Sequence, residues 1–377
     1  MTLLEIFPSL RGAMTPRLDP ALWPISTRHD QSGRICIGDV ALEDIADQYG
    51  TPTYVIDESD VRHRCRTYRE IFPDSEIVYA GKALMIRAMA KWVSEEGLGV
   101  GVCSAGELSI AIAAGVQPSR IILHSNTKTA SELRTAANAG VGRIVIDSPS
   151  EAALLASVCT RSQKVLIHVT PGADTEFEDT VATVKNATHL HLIGLHCQLG
   201  SHITDPERFR SAIGTMIGQM ADIRRAHTMI LTELDLGGGH GIAYLPGDAQ
   251  LDLTRLARVI DESLDDACIR NRFPRPKIVL EPGRAIAARA GVTLHRAQST
   301  KTISDGRSFV SVGARLPADL REGDLVGVPG TGAYHHSMTS TNDNVCRPPV
   351  IAVLGGVARP LIRRESMDDL LAREVGM

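Results

Sequence analysis

Between Glu76 and Leu280 the chain repeats one pattern, a short run of aliphatic and β-branched residues followed by a longer amphipathic stretch. The apolar runs fall at 77–80, 98–102, 121–124, 144–147, 165–168, 192–197, 234–236 and 278–280. Runs of this length without regular polar alternation read as strands covered on both faces, the signature of a parallel sheet. Strands that alternate with helices can form an open sheet or a closed one, but about eight of them is the number that closes a parallel barrel. A β/α barrel is therefore the expected fold.

The intervening stretches 83–95, 105–114, 130–139, 150–158 and 206–226 carry helical periodicity, several with Ser, Thr or Asp near the position of an N-cap. After Arg289 the texture changes to β-branched runs broken by turn signals such as Ser304-Asp-Gly306 and Arg321-Glu-Gly-Asp324, which predicts an all-β domain over 291–377. The barrel is assigned to 53–290. The segment 1–52 contains an isolated strand-like run, Ile35-Cys-Ile37, expected to pair into the later β domain.

Bulk properties narrow the class of partner. A formal net charge of -4 gives no broad basic field, so a small molecule is expected in preference to nucleic acid. The first thirty residues hold charges and prolines where a secretory segment needs an uninterrupted apolar run, and no later stretch is long enough to span a bilayer. Seven cysteines, widely spaced and odd in number, lack metal-type spacing and point to free thiols in a reducing, cytoplasmic setting.

In barrels of this kind chemistry collects at the C-terminal ends of the strands. The first run ends Tyr79-Ala-Gly-Lys82, placing an amine at the rim. A partly desolvated lysine there can lose its proton and condense with an aldehyde, although a lone lysine is more often a surface residue. The seventh ends Leu236-Gly-Gly-Gly239, whose bare backbone N–H groups can approach a phosphate or simply make a tight turn. The eighth leads into Glu281-Pro-Gly-Arg284, a carboxylate suited to a protonated ring nitrogen and a guanidinium suited to an anion, or a solvated ion pair. Gly330-Thr-Gly-Ala-Tyr334 brings a tyrosine out of a glycine-rich turn.

The histidine-rich stretch 189–202 invites a metal, but strand alternation places His189 and His191 on one face and His196 on the other. His196 and Gln198 share the face that reaches the barrel mouth. No metal is expected.

Taken in order, Tyr79-Ala-Gly-Lys82, Gly194-Leu-His-Cys-Gln-Leu-Gly-Ser201, Leu236-Gly-Gly-Gly239, Glu281-Pro-Gly-Arg284 and Gly332-Ala-Tyr334 resemble the signature blocks of the diaminopimelate decarboxylases and their ornithine-decarboxylase relatives. The likeness extends through Thr51-Pro-Thr-Tyr-Val-Ile-Asp57, Gly106-Glu-Leu108 and the tail from Arg347-Pro348 to Arg364-Glu365. It implies a pyridoxal-phosphate-binding (β/α)8 barrel of the alanine-racemase type with a C-terminal β domain, and the decarboxylation of meso-diaminopimelate to L-lysine. By the same resemblance Lys82 binds pyridoxal 5'-phosphate covalently and Glu281 holds its ring nitrogen. Ser201, Gly237, Gly238, Gly239, Arg284 and Tyr334 hold its phosphate, with His196, Gln198, Pro282 and Gly283 beside it. Arg284 and Tyr334 are also expected to meet the amino-acid substrate, in a homodimer whose subunits share their sites.

The pattern departs from the family in four places. Several tens of residues that the family carries, including a Cys-Glu-Ser block, are missing between Val312 and Gly313. A shorter block is missing after Phe177, which predicts an abbreviated loop up to Ala187. Gln198 stands where the family has a histidine stacked on the cofactor, and Gly101 where it has an aspartate. These departures leave two alternatives open: a catalytically impaired relative that works by binding partners, and a decarboxylase of another basic amino acid.

Overall fold

The computed structural model describes residues 18–170, 175–297, 300–302, 308–310, 320–340 and 342–376. Both junctions where family blocks are missing lie at or beside segments outside this set, 311–319 and 171–174.

Three short strands, β1 (Arg28–His29), β2 (Ile35–Ile37) and β3 (Val40–Ala41), form a small antiparallel sheet, and β4 (Thr53–Asp57) follows the helix Leu42–Tyr49. Eight strands then alternate with helices: β5 (Glu76–Ala80), β6 (Gly99–Val102), β7 (Ile121–Leu123), β8 (Arg143–Ile146), β9 (Gln163–Val169), β10 (Leu190–Cys197), β11 (Glu233–Asp235) and β12 (Lys277–Leu280). All eight pair in parallel, and β12 pairs back onto β5 to close the barrel. Every expected barrel run is a barrel strand.

Three of the expected helices start at side-chain caps, whereas the stretch expected to be helical from 83 begins its helix at Arg87 without one. Ser104, Thr129 and Ser148 each accept a hydrogen bond from the backbone N–H three residues on, and Thr129 with Glu132 completes a reciprocal capping box. The stretch after 177 expected to be an abbreviated loop is instead the helix Phe177–Asn186, which packs Phe177, Val181 and Val184 into the barrel's outer core.

Strands β13 (Gly291–Arg296), β14 (Thr300–Thr302), β15 (Ser308–Val310), β16 (Leu325–Pro329), β17 (Val350–Leu354) and β18 (Val357–Ile362) follow. The main β sheet runs β16-β13-β4-β17-β18. Its central strand is thus the early segment Thr53–Asp57. Ile35–Ile37, expected to join this sheet, bonds to β1 and β3 instead. It reaches the β domain through packing, because Ile37 is buried against Val55, Val292, Leu294, Ile351 and Val353. Apolar burial fixed where this strand lies, while its backbone found nearer partners.

Inside the barrel, Val78, Ile122, Val145, Leu166 and Val279 form a closed apolar layer. Because side chains alternate along a strand, the residue two further on points to the same axis one level higher. That rule places Ala80, His124, Asp147, His168 and Glu281 on top of the layer, at the C-terminal mouth. At the opposite mouth the first residues of three strands meet: Arg143 bonds Glu76 at 2.6 and 3.0 Å and Glu233 at 2.5 and 3.1 Å. All seven cysteines are free, and among the described residues no helix is long and apolar enough to cross a membrane.

Candidate active site

Lys82 sits in the single turn Gly81–Ala83 that follows β5 and is exposed at the rim, with no ion pair among the described residues. A cleft beside it is lined by Gln198, Ser201, Gly238, Gly239, Glu281, Gly283, Arg284 and Tyr334. Eight residues expected from separate parts of the sequence therefore face one space together with the lysine. The other three of the expected set stand behind this wall. Gly237 turns the backbone, Pro282 accepts a hydrogen bond from the N–H of Ala80 at 3.2 Å, and His196 is fully buried beside Glu281. A second small cavity on the other side of Lys82 is lined by Gly101, Cys103, His124 and Glu281.

The glycine turn has no room for side chains. A Cβ on Gly238 would lie 2.2 Å from the carbonyl oxygen of Glu281, and one on Gly239 would lie 2.2 Å from that of Gly200. Gly237 has φ of +65° and Gly239 of +83°. Such a bare backbone leaves the N–H groups of Gly238 and Gly239 open to an anion, while that of Gly237 donates to Asp235 Oδ1 at 2.8 Å. Gln198 donates from its Nε2 to the carbonyl of Gly200 at 2.7 Å, which fixes its amide along this turn.

Arg284 opens the short helix Arg284–Ala287, and its guanidinium carbon lies 4.7 Å from the centre of the Tyr334 ring. It also donates to the hydroxyl of Tyr244, a residue that sequence reasoning passed over because it lies in a loop with no motif around it. Tyr334 has φ of +62°, and its N–H donates to the carbonyl of Ala83 at 2.9 Å.

Beneath the cleft lies a buried polar layer. Strand register puts His168, His196 and Asp235 side by side on β9, β10 and β11. His196 Nε2 stands 3.7 Å from Glu281 Oε2, while Glu281 Oε1 and Asp235 Oδ2 are buried without a hydrogen-bond partner among the described residues. Burial works against the Glu281 carboxylate, but His196 and the charge of Lys82 outweigh it and hold the group below its ordinary range. Burial and the Glu281 charge push the Asp235 pKa well above the carboxylate range. Burial opposes charging of His196, yet the carboxylates of Asp235 and Glu281 raise its pKa. His124 is the reverse case, held neutral by burial and by the two neighbouring histidines. Neither His124 nor His168 was singled out from the sequence; each closes a barrel run, and only the inward parity of its strand could have marked it.

Residues 58–288 match the family model for the pyridoxal-dependent decarboxylase pyridoxal-binding domain. The chain belongs to the pyridoxal-dependent decarboxylase family. Among relatives of this decarboxylase, the diaminopimelate decarboxylase of Actinosynnema pretiosum subsp. auranticum is 38% identical across the whole of both chains. That of Mycobacterium tuberculosis (strain ATCC 25618 / H37Rv) is 35% identical, over 95% of this chain and 98% of the relative. The fold superposes on the crystal structure of the diaminopimelate decarboxylase from m. jannaschii in complex with L-lysine with a TM-score of 0.86 at 20% identity, covering 93% of this chain and 98% of that one. The Actinosynnema alignment runs over 442 positions against a chain of 377 residues, so at least 65 positions of this decarboxylase's relative face no residue here.

Proposed function

We propose that this pyridoxal-phosphate-dependent decarboxylase removes one carboxylate of meso-diaminopimelate to give L-lysine and carbon dioxide, with Lys82 as the covalent anchor of the cofactor. The observation that carries the reading is the convergence of Lys82, Glu281, Ser201, the glycine turn, Arg284 and Tyr334 on one cleft. The residues fit the cofactor on two independent counts. The glycine cradle excludes every Cβ yet presents backbone donors, and the orphaned Glu281 Oε1 is an acceptor awaiting an N–H.

In this reading Gly238, Gly239, Ser201, Arg284 and Tyr334 would hold the phosphate, with Gly237 turning the backbone into the cradle and Gly283 and Pro282 setting the entry of the Arg284 helix. Glu281, kept ionised by His196 below it, would hold the ring nitrogen in its protonated form, and Gln198 takes the place of the family's ring-stacking histidine. When bound, the cofactor supplies an electron sink for the pair left as the substrate's Cα–carboxylate bond breaks. Lys82 would supply the amine that anchors the cofactor, and Arg284 and Tyr334 would also meet the carboxylates of the substrate. We further infer a homodimer working in the cytoplasm, which the family resemblance and the seven free thiols support.

Incubating the purified chain with pyridoxal 5'-phosphate and meso-diaminopimelate is expected to yield carbon dioxide and L-lysine in equal amounts. Cofactor uptake without release of carbon dioxide from this or any basic amino acid would sink the reading.

A further inference from the structure

Three histidines from three different strands meet at the barrel mouth. His124 follows β7, His168 lies in β9 and His196 in β10. Nδ1 of His168 and Nδ1 of His196 are 2.8 Å apart, and the His124 ring centre lies 4.3 Å from that of His196 and 5.5 Å from that of His168. One ring nitrogen from each falls within 4.8 Å of the others. We propose that these three imidazoles form a binding site for one divalent transition-metal ion of the zinc class.

Three arguments converge on it. Imidazole nitrogens suit zinc, cobalt and nickel, and three protein ligands with an open fourth position is the usual arrangement of a reactive zinc site. Metal-bound histidines also give their second ring N–H to a carboxylate. His196 already has that arrangement, with Nδ1 turned to the cluster and its buried, unpartnered Nε2 turned to Glu281 at 3.7 Å. A metal takes the place of the proton held between the two Nδ1 atoms, so one proton leaves for each ion bound, and the Nε2–H remains for Glu281. Finally, the His124 side of the cluster borders a small cavity that Gly101 and Lys82 also line.

His189 and His191, both exposed, lie at the far end of β10 from His196, and the register shift between Leu192 and Gly194 returns His191 to the face of His196, so the simple alternation expected across this stretch does not hold. The site arises across strands, where spacing along one strand carries no information. Asp147, the inward residue after β8, is not among the ligands, because Lys128 holds it at 3.3 Å.

The test loads the full chain with Co2+ or Zn2+, dialyses it and counts metal per chain. One ion per chain is expected, with the intense visible bands of tetrahedral cobalt. His124→Asn and His168→Asn should each weaken binding by more than the roughly 10–100-fold that loss of an outer-shell partner costs. Lys82→Ala should leave metal binding unchanged, which separates this proposal from the cofactor assignment. X-ray absorption of the loaded wild-type protein gives a readout that needs no variant, with nitrogen neighbours expected at roughly 2.0–2.1 Å. No retained metal, a sulfur-dominated shell, or full binding in both histidine variants would overturn it.

Discussion

The backbone N–H of Tyr334, in the β domain, donates to the carbonyl of Ala83, the residue after Lys82, at 2.9 Å. Ser337 donates its hydroxyl to the same carbonyl at 3.1 Å. The turn that carries the lysine is thus clamped by the domain that supplies the tyrosine, so both reach the cleft in one fixed relation. The clamp depends on Gly332, packed so closely that a Cβ there would lie 1.9 Å from the carbonyl oxygen of Ala287.

Gly332→Ala is therefore expected to destabilise the protein by about 1–3 kcal/mol, the usual range for forced overpacking. It should also weaken pyridoxal-phosphate retention, since Tyr334 moves with it. Thermal unfolding and cofactor absorbance after dialysis check the two effects together; a shift in melting temperature with cofactor retention unchanged would separate the clamp from the site.

Glu281→Gln keeps the shape of the side chain but removes the negative charge that His196 and Lys82 sustain. The variant should still take up cofactor on the phosphate cradle while kcat falls by about 100-fold or more, as when one charge-stabilising group is removed from a site that excludes water. Steady-state kinetics on fully loaded protein decide it.

His240 is fully buried, bonded through Nδ1 to the Tyr68 hydroxyl at 2.8 Å, and burial pushes its pKa down to about 4. The folded state keeps it neutral, whereas the unfolded chain takes up a proton below its ordinary value of 6.5. Its contribution is thus intact above that value and lost as pH falls toward about 4, amounting to about 3 kcal/mol in all. Urea denaturation at about pH 7 and about pH 5 should show a loss that shrinks by about 2 kcal/mol in His240→Asn.

At the far mouth of the barrel Arg143 holds Glu76 and Glu233 together. Arg143→Ala leaves two carboxylates facing each other with only Lys277 beside Glu76, and should destabilise by about 3–5 kcal/mol. Because the chemistry lies at the other end of the strands, kcat per folded molecule should not change. Parallel measurement of unfolding and turnover tests both halves.

Much of this was legible in the sequence, for reasons that differ by element. The eight barrel strands showed because doubly covered strands must be apolar throughout, and Lys82, the glycine turn, Glu281 and Arg284 showed because each ends such a run. What stayed hidden depended on partners far along the chain. The central strand of the β domain, Thr53–Asp57, carries no mark that says it lies between β13 and β17. Ile35–Ile37 is apolar enough for that sheet, yet it bonds to its sequence neighbours. His124, His168 and Asp235 are single polar residues in apolar surroundings, and only the closing of the barrel brings them beside His196 and Glu281. Tyr244 reaches Arg284 from a loop whose course no periodicity describes.

The central claim is the covalent role of Lys82. Loading the protein with pyridoxal 5'-phosphate, reducing it with borohydride and mapping the peptides by mass spectrometry should place a single pyridoxyl group on Lys82. A label on another lysine, or none on a protein that has bound the cofactor, would contradict it.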